Sequence, residues 1–374
     1  MAECPLPLDA LPKPLQKHAD PKAPPPLRMM GAKGLVPAVA PGDLVTLLYV
    51  LSYDADEPIR TTAAATAEGL PDKMFGVALR AEGVDPQVLD WLADRFRSKD
   101  PALELILLNP QTSDETVARL APVVSQPLAD IIRQNELRLL RNDAIIRGLC
   151  QNPNALASSI DGACDFCVRN GLTLLDVPQL VEAHKRVHGE DPTPKPHEET
   201  AEGLIAEFQQ DLLHDAGPVT GAETEEERAR KLTITQRILK MSVSEKIKLA
   251  TLGNKEARTI LLRDANKLVC MAAATSPRIT EGEILTLSNS RTTNADVLRY
   301  IYTNRDFLRS YGLKLALVKN PKVPLPTALR FLQTLQERDI KELARDRNVP
   351  HTVMAQAKAL MMKREQAQKG RSEK

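Results

Sequence analysis

"LALVKNPKVPLPTALRFL", Leu315 to Leu332, places one apolar run before an Asn-Pro and another after two further prolines. Proline has no amide hydrogen to continue a helical ladder, and the residue before it is pushed out of the α region. Asparagine accepts the backbone angles found at helix ends. The break therefore stops one helix and sets up the next, which predicts a helical hairpin. The same device recurs in "IRGLCQNPNALASSI", Ile146 to Ile160, and in the shorter breaks "GVDP", "LLNPQT", "LGNKE", "TSPRIT" and "RNVPH". Thr112 with Glu115, and Thr280 with Glu283, have capping-box spacing where the helices restart.

The breaks keep step along the chain. Asn109 to Ser276 spans 167 residues, Asn135 to Asn304 169, and Asn152 to Asn320 168. "RGLCQNP" overlays "LALVKNP", and "LILLNPQTSDETVARLA" overlays "MAAATSPRITEGEILTLS" within one residue. Self-similarity at long period is the mark of units that stack to share a core. The sequence thus predicts an all-α fold, an α-solenoid of stacked helical hairpins, in two related halves over 42–188 and 235–362.

Composition agrees. Of 374 residues, 43% are apolar but only 3% aromatic, so Leu, Ala, Ile and Val must fill the interior, as in helices laid side by side. Lys plus Arg number 50 against 49 Asp plus Glu, which gives no overall field to attract nucleic acid or an anionic membrane. "MAECPLPLDALPKPL" lacks the basic-then-apolar order of a secretory signal, and no run has the length to cross a bilayer. Five scattered cysteines do not form a disulfide framework. A cytoplasmic protein is the expectation.

"GDLVTLLYVLSYDADEPIRTTAAATAEGLP", from Gly42 to Pro71, runs from an apolar helix through an acidic turn to an Ala-rich helix. With Asp54, Asp56, Ile59, Arg60, Ala63 and Leu70 in register, it resembles the HEAT-type helical repeat, including bacterial members punctuated by Asn-Pro. Acidic residues favour the positive end of the second helix, and small faces allow close helix contact. Later breaks lack the Asp-x-Asp and aliphatic-Arg signature, so a short two-helix leucine-rich variant is the other family the repeats resemble. Either resemblance implies a binding surface and leaves its task open.

Outside the halves the sequence changes character. Ten of the 28 prolines fall in residues 1–41, which predicts an extended Pro-rich arm whose "LRMMGAKGLV" docks on the body or on a partner. Residues 189–234 read as an acidic, partly disordered linker. From Glu190 to Glu227 there are twelve acidic residues and, apart from Lys195, no Lys or Arg. Within it Leu204, Ile205, Phe208 and Leu212 make one apolar stripe on a short helix, packed on a solenoid half or presented to a partner's groove. Residues 363–374 form a polar basic tail, five basic residues against two acidic.

Candidate chemistry is sparse. Cys164, Cys167, His184 and His188 read C-x2-C-x16-H-x3-H, formally near a zinc-site spacing, with each pair able to share a helical face. The intervening stretch is longer than in a finger, "VRNGLTLLDVPQL" carries helix-and-turn signals, and the matching helix "PTALRFLQTL" has no cysteine, so the thiols also read as small apolar core groups. There is no nucleophile elbow, phosphate-binding loop, dinucleotide fingerprint or His-Glu-x-x-His. Asp54 with Asp56 and Glu281 with Glu283 sit at helix starts, where capping accounts for them. Trp91, the only tryptophan, has core spacing with Val88 and Leu92. "RQNELRLLRNDAIIR" and "RDFLRSYGLKLALVK" put cations on helix faces, either as solvated surface or as a nucleic-acid groove. The sequence therefore predicts no enzyme, no cofactor and no resident metal. It predicts a cytoplasmic scaffold or adaptor for a protein or peptide, with a nucleic-acid binder and a zinc-stabilised regulatory module as alternatives.

Overall fold

The computed structural model describes the backbone of residues 4–37, 39–80, 83–194, 196, 200–208, 212, 225–346 and 348–372, and the side chains of all of these but 225–231 and 365–372. Among them the regular elements are helices, with no strand. The chain divides into two compact units, one of Met1–Val168 with Leu174–Pro192 and the other of Arg169–Thr173 with Thr193–Lys374.

In the first unit the helices are α1 Lys13–Ala19, α2 Pro25–Ala32, α3 Pro41–Leu51, α4 Glu57–Glu68, α5 Asp72–Leu79, α6 Pro86–Arg95, α7 Asp100–Leu108, α8 Asp114–Leu120, α9 Gln126–Gln134, α10 Glu136–Arg141, α11 Asp143–Gln151, α12 Ala157–Arg169, which ends across the division, and α13 Pro178–His188. Proline occupies the first turn of α3, α4, α6, α7, α9 and α13, where its missing N–H costs nothing. Side chains of Asp85, Ser113 and Asn142 accept first-turn amides of α6, α8 and α11. Alternate helices pack together: α3 on α5, α5 on α7, α7 on α9. Helix α8 meets α11 so closely that a Cβ on Gly148 would lie 2.9 Å from the Ala121 Cβ.

The second unit contains α14 Ala201–Glu207, α15 Glu225–Lys240, α16 Val243–Leu252, α17 Lys255–Leu261, α18 Lys267–Ala274, α19 Glu281–Asn289, α20 Ala295–Thr303, α21 Tyr311–Lys319, α22 Leu325–Leu332, α23 Glu337–Leu343 and α24 His351–Ser372. The same alternation recurs: α16 packs on α18, α18 on α20, and α19 on α21. None of the described helices is long and apolar enough to cross a membrane.

The Asn-Pro breaks have a specific physical use. Asn109 follows α7, and its amide donates to the carbonyl of Leu79, the last residue of α5, at 2.6 Å. Asn152 follows α11 and donates to Ala121 O at 2.8 Å and Val124 O at 3.0 Å, just beyond α8. Asn320 follows α21 and donates to Ser288 O at 2.8 Å and Ser290 O at 3.0 Å at the end of α19. In all three, Oδ1 accepts the amide two residues on, which forms the turn. The last carbonyls of a helix have no partner inside it. Here the asparagine closing a later helix supplies one, and all three asparagines are buried. Ser276, which the offset aligns with Asn109, is too short to do the same; its buried hydroxyl has no hydrogen-bond partner.

Several expectations are corrected. Residues 1–41 are not an extended arm: α1 and α2 form within them, each with proline in its first turn, and α2 packs on α3 and α4. Clustered prolines forbid helix interiors but suit helix starts, which is why they do not exclude helix here. Arg28 of α2 pairs with Asp54, and with Asp56 at 2.8 Å, so these two carboxylates bind the N-terminal segment and neither side chain caps α4. Thr112 does not cap α8; Ser113 does, and Thr112 donates to the Ile106 carbonyl. Thr280 and Glu283 do form the capping box of α19. In the 189–234 segment, α14 and the first part of α15 are helical; the expectation of partial disorder falls mainly on 195, 197–199, 209–211 and 213–224, which lie outside the described residues. The basic tail from Lys363 continues α24 as far as Ser372.

Candidate functional site

A concavity of about 800 Å³ lies wholly within the second unit. It opens where α17, α19 and α20 begin and where the turn before α18 passes. Leu262, Cys270 and Leu287 give it an apolar floor, while Lys255, Arg263 and Lys322 bring cations from three separate breaks.

Its two carboxylates are already engaged. Asp264 pairs with Lys246 at 2.7 Å and accepts the Asn266 amide at 2.8 Å. Glu283 pairs with Arg258 at 3.0 Å, with both side chains buried, and accepts from Thr280 N and Oγ1 at 2.8 and 2.7 Å. Burial alone would raise the Glu283 pKa, but bonds from Arg258 and Thr280 outweigh it and hold it below the ordinary glutamate range. The Cys270 thiol donates to Asp264 O at 2.9 Å, and burial followed by the nearby Asp264 charge raises its pKa. Two ion-paired carboxylates and a thiol held neutral suit binding better than proton transfer.

The cations are placed differently. Lys322 donates to the carbonyls of Thr292 and Thr293 at 3.2 and 2.8 Å, and neither it nor Arg263 meets a carboxylate among the described residues. Thr259, Thr286 and Thr293 donate to main-chain carbonyls, whereas Ser290 and Thr292 share one bond of 2.9 Å and keep one O–H between them.

A second recess, about 570 Å³, belongs to the first unit and includes Tyr49, Tyr53, Trp91, Asp90, Asp94 and Arg119. Tyr49 meets Tyr53 and Trp91 edge-on, with ring centroids 5.3 and 5.6 Å apart. Trp91 is therefore not the core residue its spacing suggests; it is half-buried at the recess, with the Arg95 guanidinium 4.5 Å from its ring centroid. Being the sole tryptophan in an aromatic-poor chain was the available signal.

The residues singled out from sequence are placed as follows. Cys164 and Cys167 are buried in α12, and the Cys164 thiol lies 3.6 Å from Cys150 Sγ. The bond to Cys150, with burial, raises the Cys164 pKa, and burial pushes Cys167 up to about 12. His184 faces its neighbour His188, ring centroids 4.6 Å apart, and its Nδ1 lies 2.9 Å from the Glu190 carbonyl. No group of three or more metal-ligating side chains occurs among the described residues. Leu204 and Leu212 are buried, and α14 packs on α16. The Ala201 amide donates to Glu245 at 2.9 Å, and the Leu212 carbonyl accepts the Asn254 amide at 2.7 Å. The stripe is thus turned inward, with Ile205 and Phe208 half-buried at its edge and Arg237 over the Phe208 ring. Burial against its own unit is the lower-energy use of an apolar face once a neighbouring helix is within reach. The first arginine cluster is likewise engaged: Arg138 and Arg141 both bind Asp114, and Arg147 bridges Asp143 and Asp176.

Compared with protein-family models, curated proteins and solved structures, the chain matches none.

Proposed function

We propose that this chain is a non-enzymatic cytoplasmic scaffold or adaptor that holds a protein or peptide partner against a helical-repeat surface, built as a solenoid of two related halves. The observation that carries the reading is the open cavity between successive hairpins of the second unit. It has an apolar floor, and two of its cations, Arg263 and Lys322, meet no carboxylate among the described residues. Such a concavity on packed helices is a natural peptide site, because side chains from several breaks converge on it without distorting the core.

The repeat reading is supported by alternate-helix packing and by the asparagine bonds, which join residues 28 to 32 apart in sequence. That separation lies nearer a short two-helix unit than the roughly 40–47 residues of a HEAT repeat. Asn152 and Asn320, 168 residues apart, each donate to two carbonyls at the end of an earlier helix and accept the amide two residues on, which favours an internal duplication although the acceptor positions differ by one or two residues.

The test is selection of displayed random peptides on the purified full chain. A recurrent sequence pattern is expected, whose binding is lost on substitution in the cavity and retained at moderate salt. Failure to enrich any pattern, together with binding to duplex or single-stranded nucleic acid that falls steeply with salt, refutes the reading.

A further inference from the structure

We infer that the second-unit cavity recognises a phosphate monoester borne on a serine or threonine of the partner segment, an inference that rests on the peptide-binding reading above. Charge is the first reason. The lining carboxylates, Asp264 and Glu283, are neutralised by Lys246 and Arg258, neither of which lines the cavity. Arg263 and Lys322 line it with no carboxylate ion-paired to them among the described residues. What faces the opening is therefore a surplus of positive charge. A single carboxylate brings one negative charge to it, whereas a phosphate monoester brings about −1.5 to −2 and three acceptor oxygens.

Donor geometry is the second reason. Arg263 presents a guanidinium fork, Lys322 is anchored at the turn before α20 by two carbonyls, and the Ser290–Thr292 pair retains one O–H. The first-turn residues Gly282 and Glu283 of α19 and Ala295 of α20, each in a helix of nine residues, also line the space. The positive ends of these helices are offset by their own first-turn acids, Glu281 and Glu283 on α19 and Asp296 on α20, so the cationic side chains carry the charge.

Size decides between a free ion and a segment. At about 800 Å³ the cavity is far larger than a phosphate and falls in the range that encloses several residues' side chains. Leu262, Ala265 and Leu287 supply apolar surface beside the cations, which suits an aliphatic residue next to the phosphorylated one.

The experiment measures binding of the full chain to two matched fluorescent peptide libraries, one with a fixed phosphoserine or phosphothreonine among random positions and one unphosphorylated, with inorganic phosphate and a DNA duplex as further arms. The phosphorylated library is expected to bind at least tenfold more tightly. Arg263→Ala and Lys322→Gln should each weaken it about tenfold, and Arg305→Ala, at an exposed cation away from the cavity, should leave it unchanged. Thermal unfolding within a degree or two of the parent confirms that the variants fold. Equal binding of both libraries overturns the phosphate assignment while the peptide-binding reading stands. Binding of neither library overturns both. Inorganic phosphate matching the phosphopeptides in affinity makes the site a free-anion site, and duplex binding that Arg263→Ala abolishes makes it a nucleic-acid site; either result refutes the inference.

Discussion

Asn152→Ala tests directly the asparagine bonds that join one helix end to an earlier one. The side chain is buried and makes three hydrogen bonds: to Ala121 O at 2.8 Å, to Val124 O at 3.0 Å, and from Asn154 N at 2.8 Å. The Val124 carbonyl keeps a second donor, Asn154 Nδ2 at 3.2 Å, so truncation orphans chiefly the Ala121 carbonyl and the Asn154 amide. At about 1 kcal/mol for each bond lost, and somewhat more for buried groups left unpaired, the cost is about 3 kcal/mol. No helix-propensity gain offsets it, since Asn152 lies outside α11 in an extended conformation. Urea unfolding followed by Trp91 fluorescence reads the first unit, because the only tryptophan lies there. With a slope of about 2 kcal/mol per M, the midpoint should fall by about 1.5 M. Asn152→Asp sharpens the test, because it keeps the acceptor and sets a carboxylate against two carbonyls. Its folded-state pKa would lie above the unfolded value of about 3.9, so the folded form binds more protons and stability falls as pH rises from about 4 towards 7. A midpoint shift below about 0.3 M for Asn152→Ala, or an Asn152→Asp variant as stable as the parent at pH 7, would refute the argument.

Three further outcomes follow from other contacts. Gly148→Ala should destabilise by about 1–2 kcal/mol in the same urea assay, although alanine gains about 1 kcal/mol of helix propensity, because its Cβ meets the Ala121 Cβ at 2.9 Å and Pro122 Cδ at 3.0 Å; a stabilised variant would show that α8 and α11 separate freely. Arg28→Ala leaves the buried Asp54 carboxylate without its partner, a loss of about 3 kcal/mol, and trypsin should then cut among Lys13–Lys33 well before the rest of the chain; unchanged digestion order would count against the pairing. Glu283 has its folded-state pKa lowered by Arg258 and Thr280, so its contribution is present above the unfolded value of about 4.3 and lost as pH falls through the folded one. Glu283→Gln should flatten that part of the acid-unfolding curve, followed by circular dichroism, and an unaltered curve would contradict the assignment.

What the sequence determined by itself is local. Proline geometry and aliphatic spacing marked where helices stop and restart, because those constraints act within a few residues, and the capping box at Thr280 was legible for the same reason. The same local rules misread residues 1–41, since a proline cluster is compatible with helix starts as well as with extended chain, and packing of α2 on α3 and α4 decided the matter. Tertiary structure alone fixed the rest. It gave each of three asparagines a carbonyl about thirty residues back, turned the stripe at Leu204 and Leu212 inward, and left Trp91 at a recess. It also gathered Lys255, Arg263 and Lys322 around one cavity. Charges that far apart in sequence meet only when helices pack, because a helix orients its side chains but cannot choose what lies opposite them.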